Sequence, residues 1–152
     1  MTTLEKCERR GKQGRKKNHS KQTGEVAELA FMLKAASLGF AVAKPYGDNQ
    51  RYDFVVDVGG NLVRVQVKSA THPHAQGAYF IASQRCSHGR AIPYDTSEID
   101  FLAAYVFPED AWFIIPVEAF VPRTSLHLFP KERGEAGQFW KYREAWELLR
   151  EG

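Results

Sequence analysis

The stretch DFVVDVGGNLVRVQVKS, residues 53–69, decides the fold, because it contains two strand-like runs joined by a tight turn. Asp53–Val58 is rich in valine and precedes Gly59-Gly60, a pair that suits a two-residue hairpin turn. After the turn, valines alternate with polar residues along Leu62–Ser69. The stretch therefore predicts an antiparallel β-hairpin.

Three polar side chains of this hairpin are expected to lie together. Asp53 and Gln66 can be cross-strand neighbours, and Lys68 leaves the same face as Gln66, because residues two apart on a strand point to one side. Carboxylate and amide oxygens are suitable ligands for Mg²⁺, and a lysine can stabilise the negative charge that develops on a phosphate. The pattern indicates phosphodiester hydrolysis, with an ordinary Asp53–Lys68 salt bridge as the alternative.

A helix is predicted before the hairpin. It runs from Thr23, a good N-cap, to about Leu38, and Gly39 follows as a stop. Two acids lie on it, and Glu25 in the first turn is the better partner for the helix dipole. Glu28 is therefore the acid that we expect beside Asp53. The apolar residues at helical spacing are Val26, Leu29, Ala30, Leu33 and Ala36.

The rest of the chain predicts more strands and a second helix. Residues 84–99 are polar and rich in turn residues, 117–120 form a short helical turn, and 138–150 have the spacing of an amphipathic helix. This order predicts an α/β (α+β) fold in which helices flank a mixed β-sheet. The further strands are predicted at Phe40–Lys44, Tyr79–Ser83, Phe101–Phe107 and Trp112–Ile115.

Basic charge is concentrated at the N-terminus of this 152-residue chain, whose net charge is +3. Residues 1–22 contain eight lysines and arginines and two acids, a net charge of +6. We expect a flexible phosphate-binding arm over residues 1–22 and a single domain over residues 23–152. A solvated tail without a partner is the alternative. The residues expected to contact DNA are Arg15, Lys16, Lys17 and Lys21 in the arm, with Arg85 and Arg90 in the polar stretch.

Composition bears on location. No run approaches the roughly 18 apolar residues of a membrane span, and no apolar segment follows the basic N-terminus as in a signal peptide. The two cysteines, Cys7 and Cys86, are too few for a disulfide framework. We expect a cytoplasmic protein without a membrane partner.

The pattern of Glu28, Asp53, Gln66 and Lys68 resembles the site of the PD-(D/E)XK nuclease superfamily. That superfamily carries an acid on one strand and acid-x-Lys on the next, often with a glutamate on the preceding helix. The resemblance covers roughly residues 23–85. Gln66 stands where most members have an acid, and Tyr52 stands at the proline of the motif's name.

The resemblance implies a restriction-endonuclease-like fold and a DNA endonuclease that depends on Mg²⁺, with Mn²⁺ as a substitute. Asp53, Gln66 and Glu28 would ligate the metal, and Lys68 would act on the attacking water or the transition state. The Gln-x-Lys variant resembles the homing endonucleases encoded in group I introns, which implies a homodimer or homotetramer. A Holliday-junction resolvase-like enzyme and a catalytically weak DNA-binding module with a nuclease fold are the alternatives.

Overall fold

The computed structural model describes the backbone of residues 3–131 and 137–152, and the side chains of these ranges from residue 19 onward. Within them, one α-helix is followed by nine strands. The helix is α1 (Thr3–Ser37), and the strands are β1 (Ala41–Ala43), β2 (Phe54–Asp57), β3 (Leu62–Ala70), β4 (Tyr79–Ala82), β5 (Gln84–Ser87), β6 (Arg90–Pro93), β7 (Phe101–Val106), β8 (Ala111–Pro116) and β9 (Ser125–Leu128). Short 3-10 turns lie at Ala75–Gly77, Phe107–Glu109, Val117–Ala119, Trp140–Tyr142 and Trp146–Arg150.

The main sheet has five strands in the order β1-β2-β3-β7-β8. β3 and β7 are parallel, and the other neighbours are antiparallel, so the sheet is mixed. The predicted hairpin is β2–β3, closed by a 2.9 Å hydrogen bond from Val58 N to the Asn61 carbonyl around Gly59-Gly60. The predicted fold class, a mixed sheet combined with helix, is confirmed.

Helix α1 packs against one face of the sheet. Ala27, Phe31 and Ala35 are its buried residues, at the i, i+4 spacing of one helix face. The Phe31 ring lies 5.2 Å from that of Phe54 and 5.6 Å from that of Trp146, centroid to centroid. A second buried cluster fills the opposite face of the sheet. No helix in residues 3–131 or 137–152 has both the length and the apolar character that crossing a membrane requires.

The start of α1 differs from the prediction. The predicted start at Thr23 is wrong, because the helix already begins at Thr3. The Thr23 hydroxyl donates to the His19 carbonyl one turn back, 2.8 Å away, instead of capping an N-terminus. Lysine, arginine, glutamine and glutamate are good helix formers, so residues 3–22 can form a helix without apolar periodicity.

The packed face of α1 is also not the stripe that predicted the helix. Leu29 and Leu33 are 65% and 74% exposed, and Val26 and Met32 are exposed beside them. We call these four residues the outer stripe. The periodicity correctly indicated a helix, but a helix can carry apolar residues on more than one face.

The predicted C-terminal helix over residues 138–150 is wrong. The chain instead forms two separate 3-10 turns. Between them, Glu144 adopts a positive φ of 53° and its backbone N–H donates to the Trp112 carbonyl at 2.8 Å. Arg143 forms an isolated bridge with Phe113 of β8. Pairing with the edge strand therefore replaces the helical hydrogen bonds, while the aromatic residues still reach the core.

Two further elements were not predicted. The polar stretch 84–99 contains the β5–β6 hairpin, in which Cys86 pairs with Ala91 and Ser87 with Arg90. β9 pairs with β4 away from the main sheet. The β5–β6 strands contain few β-branched residues and form a small two-stranded sheet of their own, so they lack the apolar alternation that identified the other strands.

Strand β3 has an open edge that positions the site. β2 pairs with only the first four residues of β3, Leu62 to Val65. From Val65 to Ala70, β3 pairs with β7 on its other side. Beyond Val65, the edge of β3 that faces away from β7 therefore has no strand partner among the described residues, and a cleft opens between this edge and α1.

The packing of α1 makes a prediction about stability. Phe31→Ala should lower the free energy of unfolding by about 3–5 kcal/mol, because it removes a ring that is fully buried among other rings. Leu62→Ala, at a side chain that is 67% exposed, is the control and should cost less than about 1 kcal/mol. Urea denaturation measures both values. Equal losses in the two variants would contradict the assignment of the buried face.

Candidate active site

Asp53 lies at the point where β2 separates from β3. Its backbone N–H donates to the Val65 carbonyl at 2.9 Å, which is the last contact of the hairpin. Its Oδ2 atom accepts the backbone N–H of Val67 at 2.8 Å and the side-chain amide of Gln66 at 2.6 Å. The predicted cross-strand contact between Asp53 and Gln66 is therefore confirmed. The carboxylate takes the place of a strand partner for Val67.

Burial raises the pKa of the Asp53 carboxyl above its ordinary value. The hydrogen bond from Val67 N and the charges of Lys68 and Lys44 oppose this effect, and the nearby Glu28 carboxylate adds to it. The Asp53 carboxyl group thus lies in a partly buried setting with the Glu28 carboxylate close by. A cation that enters between Asp53 and Glu28 would stabilise the ionised form of both carboxylates.

Gln66 is buried, at 8% exposure, although its neighbours two residues away are more exposed. Its amide nitrogen donates to Asp53 and, at 3.2 Å, to the Val67 carbonyl. Both partners are acceptors, so the nitrogen is the amide atom that belongs in this position. Ligation of a cation beside Asp53 through the amide oxygen requires the amide to turn over.

Lys68 leaves β3 two residues after Gln66 and is partly buried. Burial lowers the pKa of its ammonium group, and the Asp53 carboxylate counteracts this effect. Within residues 19–131 and 137–152, the ammonium makes no hydrogen bond or ion pair. The alternative of a direct Asp53–Lys68 salt bridge is therefore not what the structure contains, and no described acid pairs with the ammonium.

Glu28 lines the cleft, and Glu25 does not. Glu25 forms a surface ion pair with Lys21 at 3.8 Å. A glutamate oxygen of Glu28 accepts a 2.5 Å hydrogen bond from the ammonium of Lys44, which follows β1. This contact is the largest cause of the raised pKa of Lys44. The sequence reading missed Lys44, and its place at the end of a predicted strand was the only signal for it.

The cleft has a volume of about 960 Å³, large enough for a nucleotide segment. Its α1 wall runs from His19 to Glu28, and its other wall is formed by Asp53 and the end of β3. No group of three histidine, cysteine, aspartate or glutamate side chains suited to a metal occurs in the described part of the chain. The carboxylates of Asp53 and Glu28 nevertheless have the donor chemistry of a hard cation such as Mg²⁺, which keeps several waters and needs few protein ligands, and the Gln66 oxygen could join them only after the amide turns over.

The residues expected to contact DNA lie in two places. Lys21 is exposed on α1, and Arg90 is exposed in the β5–β6 hairpin. Arg85 is tied to Glu98 by a 2.9 Å hydrogen bond and is only 22% exposed, so its guanidinium is partly used within the fold. The remaining three belong to α1, and their side chains lie outside the described residues: Arg15, Lys16 and Lys17.

The mixed sheet and the acidic cleft with its lysine define the chain as a nuclease of restriction-endonuclease-like fold. The sequence model of the PD-(D/E)XK endonuclease family matches residues 18–149. The chain belongs to this family, as its Asp53 and Gln66-x-Lys68 pattern predicted.

One solved structure agrees with this assignment. A bacterial homing endonuclease, I-Ssp6803I, is 33% identical to this chain, with a TM-score of 0.78, and the match covers 87% of this chain and 93% of that chain. The predicted resemblance to homing endonucleases is therefore confirmed. A further structure, MepB, is 17% identical with a TM-score of 0.47, covering 75% of this chain and 94% of its own. The search of curated proteins finds no match.

The amide of Gln66 leads to a prediction about metal affinity. Gln66→Glu should bind Ca²⁺ or Mg²⁺ about tenfold more tightly, because a full charge replaces the amide dipole. Without metal, the variant should lose more stability than wild type as pH rises through the folded-state pKa of the pair, since two adjacent carboxylates raise the pKa of one of them above its unfolded value. Calorimetric titration and thermal melting measure the two effects.

Gln84→Glu is the matched control, because Gln84 lies in β5 outside the cleft lining. It should change neither metal affinity nor the dependence of melting on pH. Unaltered affinity in Gln66→Glu would show that Gln66 does not face the metal.

Proposed function

We propose that the chain is a Mg²⁺-dependent DNA endonuclease, of homing type, that hydrolyses phosphodiester bonds in the cleft between α1 and β3. The observation that carries the proposal is the set of contacts around Asp53: its carboxylate is fixed by Val67 N and the Gln66 amide, with Glu28 and Lys68 lining the same cleft. Mn²⁺ would substitute for Mg²⁺ at the same oxygens.

Each residue has a role in this mechanism. Asp53 and Glu28 would hold the cation through carboxylate oxygens, and Gln66 would add its amide oxygen after turning over. When bound, the cation supplies Lewis acidity toward water and neutralises charge on the phosphate. Lys68 would orient the attacking water or stabilise the charge that accumulates on the phosphoryl oxygens in the transition state.

The proposed DNA path continues from the cleft onto the basic half of α1. The cleft wall includes His19 and Ser20, and seven of the eight basic residues of the segment 1–22 precede them on the same helix. DNA that enters the cleft would therefore pass along this segment, whose cations supply affinity without sequence specificity. Arg90 would contact the duplex from the β5–β6 hairpin, a two-stranded element of the kind that the major groove accommodates.

A second candidate function is a catalytically weak DNA-binding module. The observation that favours it is that Gln66 donates a hydrogen bond to Asp53. A neutral side chain thus occupies the position at which most members of the family have an acidic metal ligand. A Holliday-junction resolvase-like activity would keep the same chemistry with a branched substrate, so the substrates of the cleavage experiment separate it.

Cleavage tests the leading proposal. With Mg²⁺, wild-type protein should nick or cut supercoiled plasmid, and Lys68→Ala should be slower by about 100-fold or more, because the transition state loses a buried cation. EDTA should abolish wild-type cleavage. DNA binding, measured by fluorescence anisotropy, should change little in Lys68→Ala.

Lys131→Ala is the control, since Lys131 pairs with Glu109 at 3.2 Å and does not line the cleft. Equal rates in wild type and Lys68→Ala would refute the mechanism. Preference for a four-way junction over linear and supercoiled DNA would favour the resolvase. Binding without any cleavage would favour the DNA-binding module.

We also propose that the enzyme is a homo-oligomer, with a second copy of this chain covering the outer stripe. One active site cuts one strand, so cutting both strands of a duplex requires two. Val26, Leu29 and Leu33, followed by the exposed Ala36, have the three-and-four spacing by which helices pair with one another. Such a seam suits another copy of α1.

The stripe predicts a change of mass in solution. Leu29→Glu combined with Leu33→Glu should convert the oligomer to a monomer, because four or more charges would face one another in the paired helices. Light scattering coupled to size exclusion measures the mass, and circular dichroism checks that the fold is retained. Leu62→Glu, an exposed apolar site outside the stripe, should leave the mass unchanged. A wild-type monomer would contradict the proposed assembly.

A further inference from the structure

The ammonium of Lys68 has one neighbour that could fix its position. In the described residues, it makes no hydrogen bond or ion pair, and its ring contact is with Tyr94, whose centroid lies 5.8 Å from Nζ. A lysine side chain has four rotatable bonds, so an ammonium with no fixed partner samples many positions. A catalytic cation that contacts one particular phosphate is more effective when its position is already restricted before the substrate binds.

Tyr94 is itself held rigidly. It follows β6 and is only 4% exposed. Its backbone N–H faces the carbonyl of Ser83 at 3.4 Å. Ser83 is fully buried, and its hydroxyl donates to the Arg123 carbonyl at 2.8 Å. The ring therefore belongs to a fixed part of the molecule and not to a loose loop.

The segment that follows Tyr94 is clamped to the strand that carries Lys68. The Arg64 guanidinium donates to the Thr96 carbonyl at 3.0 Å, to the Ser97 carbonyl, and to Asp100 Oδ1 at 2.7 Å. Arg64 lies four residues before Lys68 on β3, and its side chain leaves the strand on the same side. β3 thus carries both Lys68 and Arg64, and Arg64 anchors the segment that follows Tyr94.

We propose that Tyr94 is a positioning residue for Lys68, and that its ring face holds the ammonium in place for the phosphate. The inference rests on the proposed nuclease function, in which Lys68 acts on the phosphate or the attacking water. The attraction between a cation and a ring face is strongest where water is excluded, as it is around this buried ring.

The chemistry of Tyr94 agrees with this role. Burial, with the Asp53 carboxylate as a further cause, raises the pKa of Tyr94 to about 12. The side chain is therefore neutral at physiological pH and offers the ammonium a ring face, not a phenolate oxygen. Because the contact is made by the ring, a phenylalanine at position 94 should preserve it.

Cleavage kinetics test the proposal. Tyr94→Leu should lower kcat by about tenfold while KM and the affinity for DNA stay unchanged, because the ring orients Lys68 and does not bind substrate. Tyr94→Phe should restore kcat to within about threefold of wild type. Tyr46→Leu, which removes a fully exposed ring outside the cleft lining, is the control and should have no effect.

A second measurement does not require any cleavage. In proton–carbon spectra of protein with ¹³C-labelled lysine, the ε-methylene protons of Lys68, assigned with Lys68→Arg, should be shifted upfield by the ring in wild type and Tyr94→Phe. This shift should disappear in Tyr94→Leu. If the shift is present but DNA is not cut, the nuclease proposal fails and the contact stands.

Three results would overturn the inference. The first is an unshifted Lys68 signal in wild type, a result that does not depend on the folding of any Tyr94 variant. The second is a kcat for Tyr94→Leu equal to that of wild type. A fall in kcat that Tyr94→Phe does not rescue would likewise overturn it, because the hydroxyl or the fold, and not the ring, would then be responsible.

Discussion

The hydrogen bond from the Val67 backbone to the Asp53 carboxylate is the contact on which the site depends. β2 stops pairing with β3 at Val65, so the Val67 N–H would otherwise lack a partner at an open edge. A buried amide without a partner costs about 1–3 kcal/mol, and the carboxylate removes that cost. The same contact fixes Asp53 beside the gap that β2 leaves, and this gap is the cleft. The open edge of β3 and the position of Asp53 therefore have the same structural cause, which is the end of β2 pairing at Val65.

In the cleft, each of the two carboxylates accepts a hydrogen bond from a side chain of the protein. A bound cation could take the place of these donors. Gln66 donates to Asp53, and Lys44 donates to Glu28, so each acid has its own neutral or positive partner. Because the pKa of Asp53 is raised in the folded state, the stability linked to this group is present at low pH and is lost as pH rises through that pKa. Ionisation of Asp53 in the folded protein thus costs stability, as is common for groups retained for function. A bound cation would offset this cost.

Most of the sheet was predictable because its signals are local. The alternation along Leu62–Ser69 and the Gly59-Gly60 turn need only residues close in the chain, and the β2–β3 hairpin has the predicted register. The errors at the C-terminal 3-10 turns and the β5–β6 hairpin have a common cause. These elements depend on tertiary contacts, such as the bond from Glu144 N to the Trp112 carbonyl. Apolar periodicity carries no information about those contacts.

The hairpin, the shared face of Gln66 and Lys68, and the residue types of a PD-(D/E)XK site follow from the sequence alone, because strand periodicity and turn chemistry act over a few residues. Which atoms of these residues meet depends on the tertiary structure. It turned the Gln66 nitrogen toward Asp53 and brought Lys44 to Glu28. It also placed the Tyr94 ring over Lys68. These contacts join residues 13 or more positions apart, and they form only when the helix and the strands pack together.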